Sequence, residues 1–251
     1  MENNLNMDFF MNRATVRRFD SKPVDPAVIK ALVEAAAHAP NTGNMQLYSV
    51  VVTTSEEGLK RLAPLHFNQP AATGAPVLLT VCADIRRFGE WCEAREAHSG
   101  LENFGGWLSA ITDAAIFAQQ LVTAAEANGL GCCYLGTATY NVDGFREALG
   151  LPEGVLPLVG ISLGYPAEKP QASDRLPVEA ILHEERYHDA TPEDIDRWYA
   201  RKEELEASAG FIEENGKKTL AQVYSEVRYP RALNEQVGAA VLRNIGQPPS
   251  D

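Results

Sequence analysis

Three arginines and a threonine stand within seven positions, Arg13-Ala14-Thr15-Val16-Arg17-Arg18-Phe19, near the start of a chain that is otherwise acidic. A guanidinium is a planar fork of donors matched to phosphate oxygens, and a hydroxyl two residues away adds a short neutral bond. Arg13, Thr15 and Arg17 are therefore candidates to hold a phosphate monoester. Charge-assisted bonds contribute about 1.5–3 kcal/mol each, so two or three supply much of the roughly 8 kcal/mol that micromolar binding requires. A solvated basic patch pairing with nearby acids fits the same residues equally well. Arg18 alternates to the other side of an extended segment and reads as a surface ion-pairing residue.

Amide side chains donate and accept at once, which suits a ring bearing both kinds of group; Asn44 and Gln69 are candidates, and loop capping is the competing role for Asn44 as it is for Asn41. Gln46 reads as a residue that orders its loop. The segment Gly129-Leu130-Gly131-Cys132-Cys133-Tyr134-Leu135-Gly136 follows a helix rather than a strand and lacks G-x-G-x-x-G spacing, so it is not a dinucleotide fingerprint. Adjacent Cys132 and Cys133 sit in an apolar strand, where a vicinal disulfide is strained and small thiols pack well. The five histidines form no HExxH or other metal-ligand set, so no metal is expected.

These residues need elements to position them. Asp25 and Pro26 open a helix in DPAVIKALVEAAAHAP that Pro40 is expected to stop, and Ser55 opens a short one in SEEGLKRLAP. LYSVVVTT and PVLLTVCAD read as strands buried on two faces, and Val155–Gly164 as another. The stretch from Ile111 to Asn128 mixes small and large apolar residues around most of its circumference and reads as a helix covered on nearly every side. Beyond about Arg175 the chain is charged and helical in pattern, with too few apolar residues for a core of its own.

Composition limits the partners. Twenty-two Lys and Arg against 34 Asp and Glu give a net charge of -12 in 251 residues, which repels a phosphate backbone and argues against nucleic acid. MENNLNMDFFMNR has no signal-like pattern and no stretch is expected to approach the about 20 apolar residues of a membrane span, so a cytoplasmic protein that does not bind membranes is expected. Four cysteines with no CxxC pair point to reduced thiols.

Four segments, in order and spacing, resemble the nitroreductase family of FMN-dependent oxidoreductases. Residues 13–19 resemble its R-x-S-x-R-x-F opening, Ala39-Pro40-Asn41-Thr42-Gly43-Asn44-Met45-Gln46 its APS-x-x-N-x-Q loop, residues 129–136 its GLG-x-x-x-x-G segment, and Val155–Pro166 its late strand and turn. The length and the long tail look like the NADPH-type nitroreductase and flavin reductase branch. The resemblance implies an α+β nitroreductase-like fold, a central mostly antiparallel sheet flanked by helices in a homodimer. It divides the chain into an FMN-binding domain over 8–190 and a helical extension over 191–251 that packs on the domain or the partner subunit. It assigns Arg13, Ala14, Thr15 and Arg175 to the FMN phosphate end, with Ser173 where the family has a lysine, and Arg17 to the pyrimidine edge of the flavin, where a fixed positive charge favours hydride arrival at N5. Gln69 reads the same edge, Asn44 contacts ring or ribityl, and Asn41 replaces a serine that reaches the cofactor of the opposite subunit. Tyr134, Leu135, Gly136 and Thr137 lie beside the flavin, a backbone N–H near Gly136 facing N5.

The activity implied is ping-pong reduction of nitroaromatics, quinones or flavins by NADPH or NADH, with no protein acid or base. Two alternatives remain: a flavin-binding or redox-sensing protein without efficient turnover, and a reductive dehalogenase-like or flavin-fragmenting relative of the same fold.

Overall fold

The computed structural model describes residues 6–246; residues 1–5 of the N-terminal stretch and 247–251 of the C-terminal extension lie outside the described residues. The chain forms two compact units, one from residues through Gln171 with those from Val237 onward, the other from Ala172–Gln236.

The first unit is built on one antiparallel sheet of β1 (Tyr48–Thr53), β2 (Val77–Asp84), β3 (Gly131–Leu135) and β4 (Val155–Gly164), in the order β1-β2-β4-β3. Every residue of β2 is buried. Val77, Leu79, Val81 and Ala83 pack with Ile29, Leu32, Phe117 and Leu121 on one side of the sheet, while Leu78 packs with Leu62, Leu135 and Phe145 on the other. Strand β1 departs from the two-faced burial expected of it: it is an edge strand, and Val52 is 42% exposed. In the central strand β4, Pro157 faces Cys82 where the register shifts. Proline has no N–H for the ladder, so a bulge absorbs it.

Asp25 caps the Pro26–Ala36 helix by accepting from the Ala27 N–H, and Ser55 caps Glu56–Leu62 through the Gly58 N–H. The first helix stops at Ala36, short of the expected stop at Pro40. The long helix runs over Phe104–Ala127, starting well before Ile111, and Asn103 caps it by accepting from the Gly106 N–H. A side chain at 106 would put its Cβ 2.2 Å from the Leu101 carbonyl oxygen, so the tight entry needs glycine. One face of this helix is buried through Trp107, Ala110, Ala114, Phe117 and Leu121. Covering on nearly every side does not hold within the chain, because Phe104, Leu108 and Ile116 form an exposed stripe at helical spacing. Nor does the expectation that no segment nears a membrane span, since this helix is long and apolar enough by length and composition. Its buried Asp113 and its packing against the sheet make it the core helix of this unit.

In the second unit, helices cover Pro192–Glu203, Glu206–Glu214 and Leu220–Gln222, the last running into a π-helical stretch at Val223–Arg228. Thr191 and Asp194 form a reciprocal capping box. Only Ser208, Leu220 and Val223 are buried among its described residues, in keeping with its charged sequence.

Candidate cofactor-binding site

The arginine-rich opening lies along β3. The Val16 N–H donates to the Cys132 carbonyl at 3.0 Å, Asp20 N–H to Tyr165 at 2.8 Å, and Phe19 bridges to Pro166. Val16 is buried against Gly131, where an added Cβ would lie 2.4 Å from Val16 Cγ2. The second glycine of the GLG segment is thus the seat of the opening segment. Beside buried Val16, Arg13, Ala14 and Thr15 are half-buried and Arg17 is exposed.

Arg13 is half-buried; its Nη2 lies 3.1 Å from Glu126 Oε1 on the long helix, while its Nε is buried without a partner. Burial pushes the Glu126 carboxyl up, and Arg13 partly offsets that. Arg17 is exposed and makes no ion pair among the described residues, whereas Arg18 pairs with Glu168 at 3.5 Å on the surface, as its alternation predicts. Burial raises the Cys133 thiol while Arg17 and then Arg13 lower it, so both charges are felt at β3. All four cysteines are free and buried, and burial pushes the Cys82 thiol up to about 12. These are packing thiols.

The end of β3 and the residues after it lie next to the opening segment. Tyr134 is 37% exposed and its hydroxyl donates to Gln119 at 3.4 Å, with burial raising its phenol. The Leu135 side chain is buried, leaving only its backbone to face a ligand. Nothing lies within 4 Å of a Cβ built at Gly136, so the backbone there is open to close approach. Half-buried Thr137 meets His66 Nδ1 through its hydroxyl at 2.6 Å, which brings the loop bearing half-buried Gln69 to the same neighbourhood.

The loop at 39–46 is held elsewhere. Asn41 accepts from the Gln46 N–H at 3.1 Å and donates to the Ala39 carbonyl at 3.3 Å, so its amide orders the loop, while Asn44 is exposed at φ 55°. Asp113, 1% exposed, accepts from the Thr42 N–H and hydroxyl, both at 2.8 Å, and from the Leu47 N–H at 3.4 Å. Neither Asp113 nor Glu126 stood out in the sequence. At 1.5 Å per residue, Asp113 and Glu126 are about 20 Å apart along the helix, which separates the Asn41–Asn44 loop from Arg13 within one chain. Asp113→Ala is expected to lower stability by about 2 kcal/mol, because it strands two backbone donors, as chemical denaturation would read. An unchanged midpoint would contradict that role.

Arg175 belongs to the second unit, where its guanidinium donates to the Ser173 and Asp174 carbonyls at 3.3 and 2.8 Å, and the Asp174 carboxylate pairs instead with Lys202 at 2.7 Å. A hollow of about 240 Å³ there is lined by Arg175, Arg197, Arg201 and Lys202, with Trp198 and Glu179. In the first unit, a cavity of about 420 Å³ is lined by Glu90, Glu93, Glu102 and Glu153 around Trp107, the wrong charge for a phosphate.

An orphaned buried guanidinium N–H, an unpaired arginine, a hydroxyl between them and an open glycine backbone fit an anionic group joined to a planar ring. The fold around them is α+β, one antiparallel four-stranded sheet with helices packed on it. The chain belongs to the nitroreductase family, whose model matches residues 10–165. It is 32% identical to the FMN reductase (NADPH) of Bacillus subtilis over 187 residues, 74% of this chain and 75% of that protein. With the oxygen-insensitive NADPH nitroreductase of Salmonella typhimurium it shares 33% identity over 181 residues, 72% and 74% of the two chains. A solved structure from Bacteroides fragilis, 48% identical, superposes with a TM-score of 0.93 over 96% of this chain and 98% of that one.

Proposed function

We propose that this chain is an FMN-dependent NAD(P)H oxidoreductase that passes electrons to nitroaromatics, quinones or free flavin. The observation that carries the reading is the set of unspent donors at Arg13, Thr15 and Arg17, laid on β3 beside the open backbone at Gly136, in a chain of net charge -12. The NADPH-dependent flavin reductase and nitroreductase among its relatives support the same cofactor and donor.

FMN, when bound, supplies a centre that accepts hydride from the nicotinamide and yields it to an acceptor using the same face in turn. Arg13 and Thr15 would hold the phosphate. Arg17 and Gln69 would hold the flavin's pyrimidine edge, where the Arg17 charge would stabilise negative charge, and the Tyr134–Thr137 backbone, open at Gly136, would border the ring. Asn44 would contact the ring or ribityl chain, and Asn41 would reach the flavin of the partner subunit; the separation of their loop from Arg13 supports the second role, and the exposed Phe104, Leu108 and Ile116 stripe suits a homodimer contact.

Initial rates with NADPH or NADH against a nitroaromatic and a quinone test the reading. Parallel double-reciprocal lines are expected. Intersecting lines would overturn the ping-pong order, and no acceptor-dependent oxidation would leave a flavin-binding protein without turnover.

A further inference from the structure

The loop that delivers Gln69 is wound in an unfavourable way. Phe67 and Asn68 stand in succession in the left-handed region, at φ 55° and 50°. Such residues cost on the order of 1 kcal/mol each and persist only where their surroundings over-determine them. Backbone bonds from Phe67 to Pro64, Asn68 to Ala63 and Gln69 to His66 close the turn upon itself, without attaching it to the rest of the unit.

One attachment, beside an edge-on contact of Phe67 with Tyr140, is His66. Its side chain is fully buried, edge-on to Phe145 at 4.9 Å between ring centroids, and it lies so close over Gly160 that a Cβ there would be 2.7 Å from Cε1. Burial pushes its imidazole down to about 4, so the ring is neutral near pH 7. Nδ1 meets the Thr137 hydroxyl at 2.6 Å, and Nε2 is buried with no partner. An orphaned N–H is rarer in folded proteins than an orphaned acceptor, so the tautomer carrying hydrogen on Nδ1 is favoured. The Thr137 oxygen then accepts from His66, and its own hydrogen is free to donate to another acceptor. A second tie, from Asn141 Nδ2 to the Leu65 carbonyl at 2.7 Å, joins the same two segments.

We propose that His66 is a positioning residue that clamps the Gln69 loop to the Thr137 loop, holding the two segments that flank the cofactor site at one spacing and leaving the Thr137 hydroxyl free to donate. Its relevance to flavin rests on the function proposed above, but the clamp itself is a property of the flavin-free protein.

The test compares His66→Leu, which keeps bulk without a polar atom, with His66→Asn, whose amide can stand in for Nδ1, and with Thr137→Val. In flavin-free protein, amide hydrogen exchange of residues 66–69 and 134–138 is expected to speed up about tenfold in both segments for His66→Leu, the equivalent of one hydrogen bond, and to stay near wild type for His66→Asn. Thr137→Val should open the 66–69 segment although it lies in the other loop, and the double variant should add nothing to either single one. FMN affinity read by flavin fluorescence should fall for His66→Leu and be rescued by His66→Asn. Exchange confined to the mutated segment, or additive effects in the double variant, would overturn the clamp. If His66→Leu does not fold, Thr137→Val decides through the response of residues 66–69. Wild-type protein that takes up no FMN would sink the proposed function while leaving the exchange result to judge the clamp.

Discussion

Arg13→Ala is expected to weaken FMN binding about a hundredfold. The side chain has one nitrogen toward Glu126 and a buried Nε with no acceptor, so part of the guanidinium is already desolvated and unspent. Two charge-assisted bonds to a phosphate, at about 1.5 kcal/mol each at the low end, account for the hundredfold. The same substitution strands Glu126, whose carboxyl burial already pushes up and Arg13 holds down. The double variant Arg13→Ala/Glu126→Gln separates the two effects, because it relieves the stranded charge without restoring a phosphate ligand. Weak binding in both variants, by fluorescence titration, is the expected result. Full flavin occupancy of Arg13→Ala after dialysis, or recovery of affinity in the double variant, would remove Arg13 from the phosphate site.

Arg17→Ala is expected to slow reduction of bound FMN about a hundredfold at low salt while weakening FMN binding far less. Removing one preorganised donor from a site of developing negative charge costs rates of this order. Arg17 is exposed, so added salt should shrink the difference from wild type. Its charge reaches the neighbourhood, since it lowers the Cys133 thiol against the pull of burial. Arg17→Lys keeps a charge without the fork and should fall between the two. Anaerobic stopped-flow reads all three, and an unchanged reduction rate in Arg17→Ala would contradict the role.

Elements whose signals are local were legible in the sequence. The bounds of β4, Val155–Gly164, agree with its apolar run, and the caps at Asp25 and Ser55 are side chains acting on amides two and three residues away. What depends on the assembled sheet was not legible: β1 has the composition of a buried strand, and only the order β1-β2-β4-β3 makes it an edge. The early start of the long helix was hidden by Gly105 and Gly106 and by an exposed apolar stripe that breaks the amphipathic period, although Asn103 is an ordinary capping signal. In the site, the arginines declare themselves because cations are scarce in this chain. Asp113 does not, since its partner Thr42 lies 71 residues away and a single buried acid carries no spacing pattern.

The central claim is that the opening arginines and the Gly136 backbone seat a redox-active flavin, and an anaerobic absorbance titration of the purified protein with NADPH tests it most directly. A visible flavin absorbance band is expected, retained through purification or regained on adding FMN, that bleaches on mixing with NADPH and more slowly with NADH. A colourless protein that takes up no FMN, or a yellow one that neither nucleotide bleaches, would contradict it.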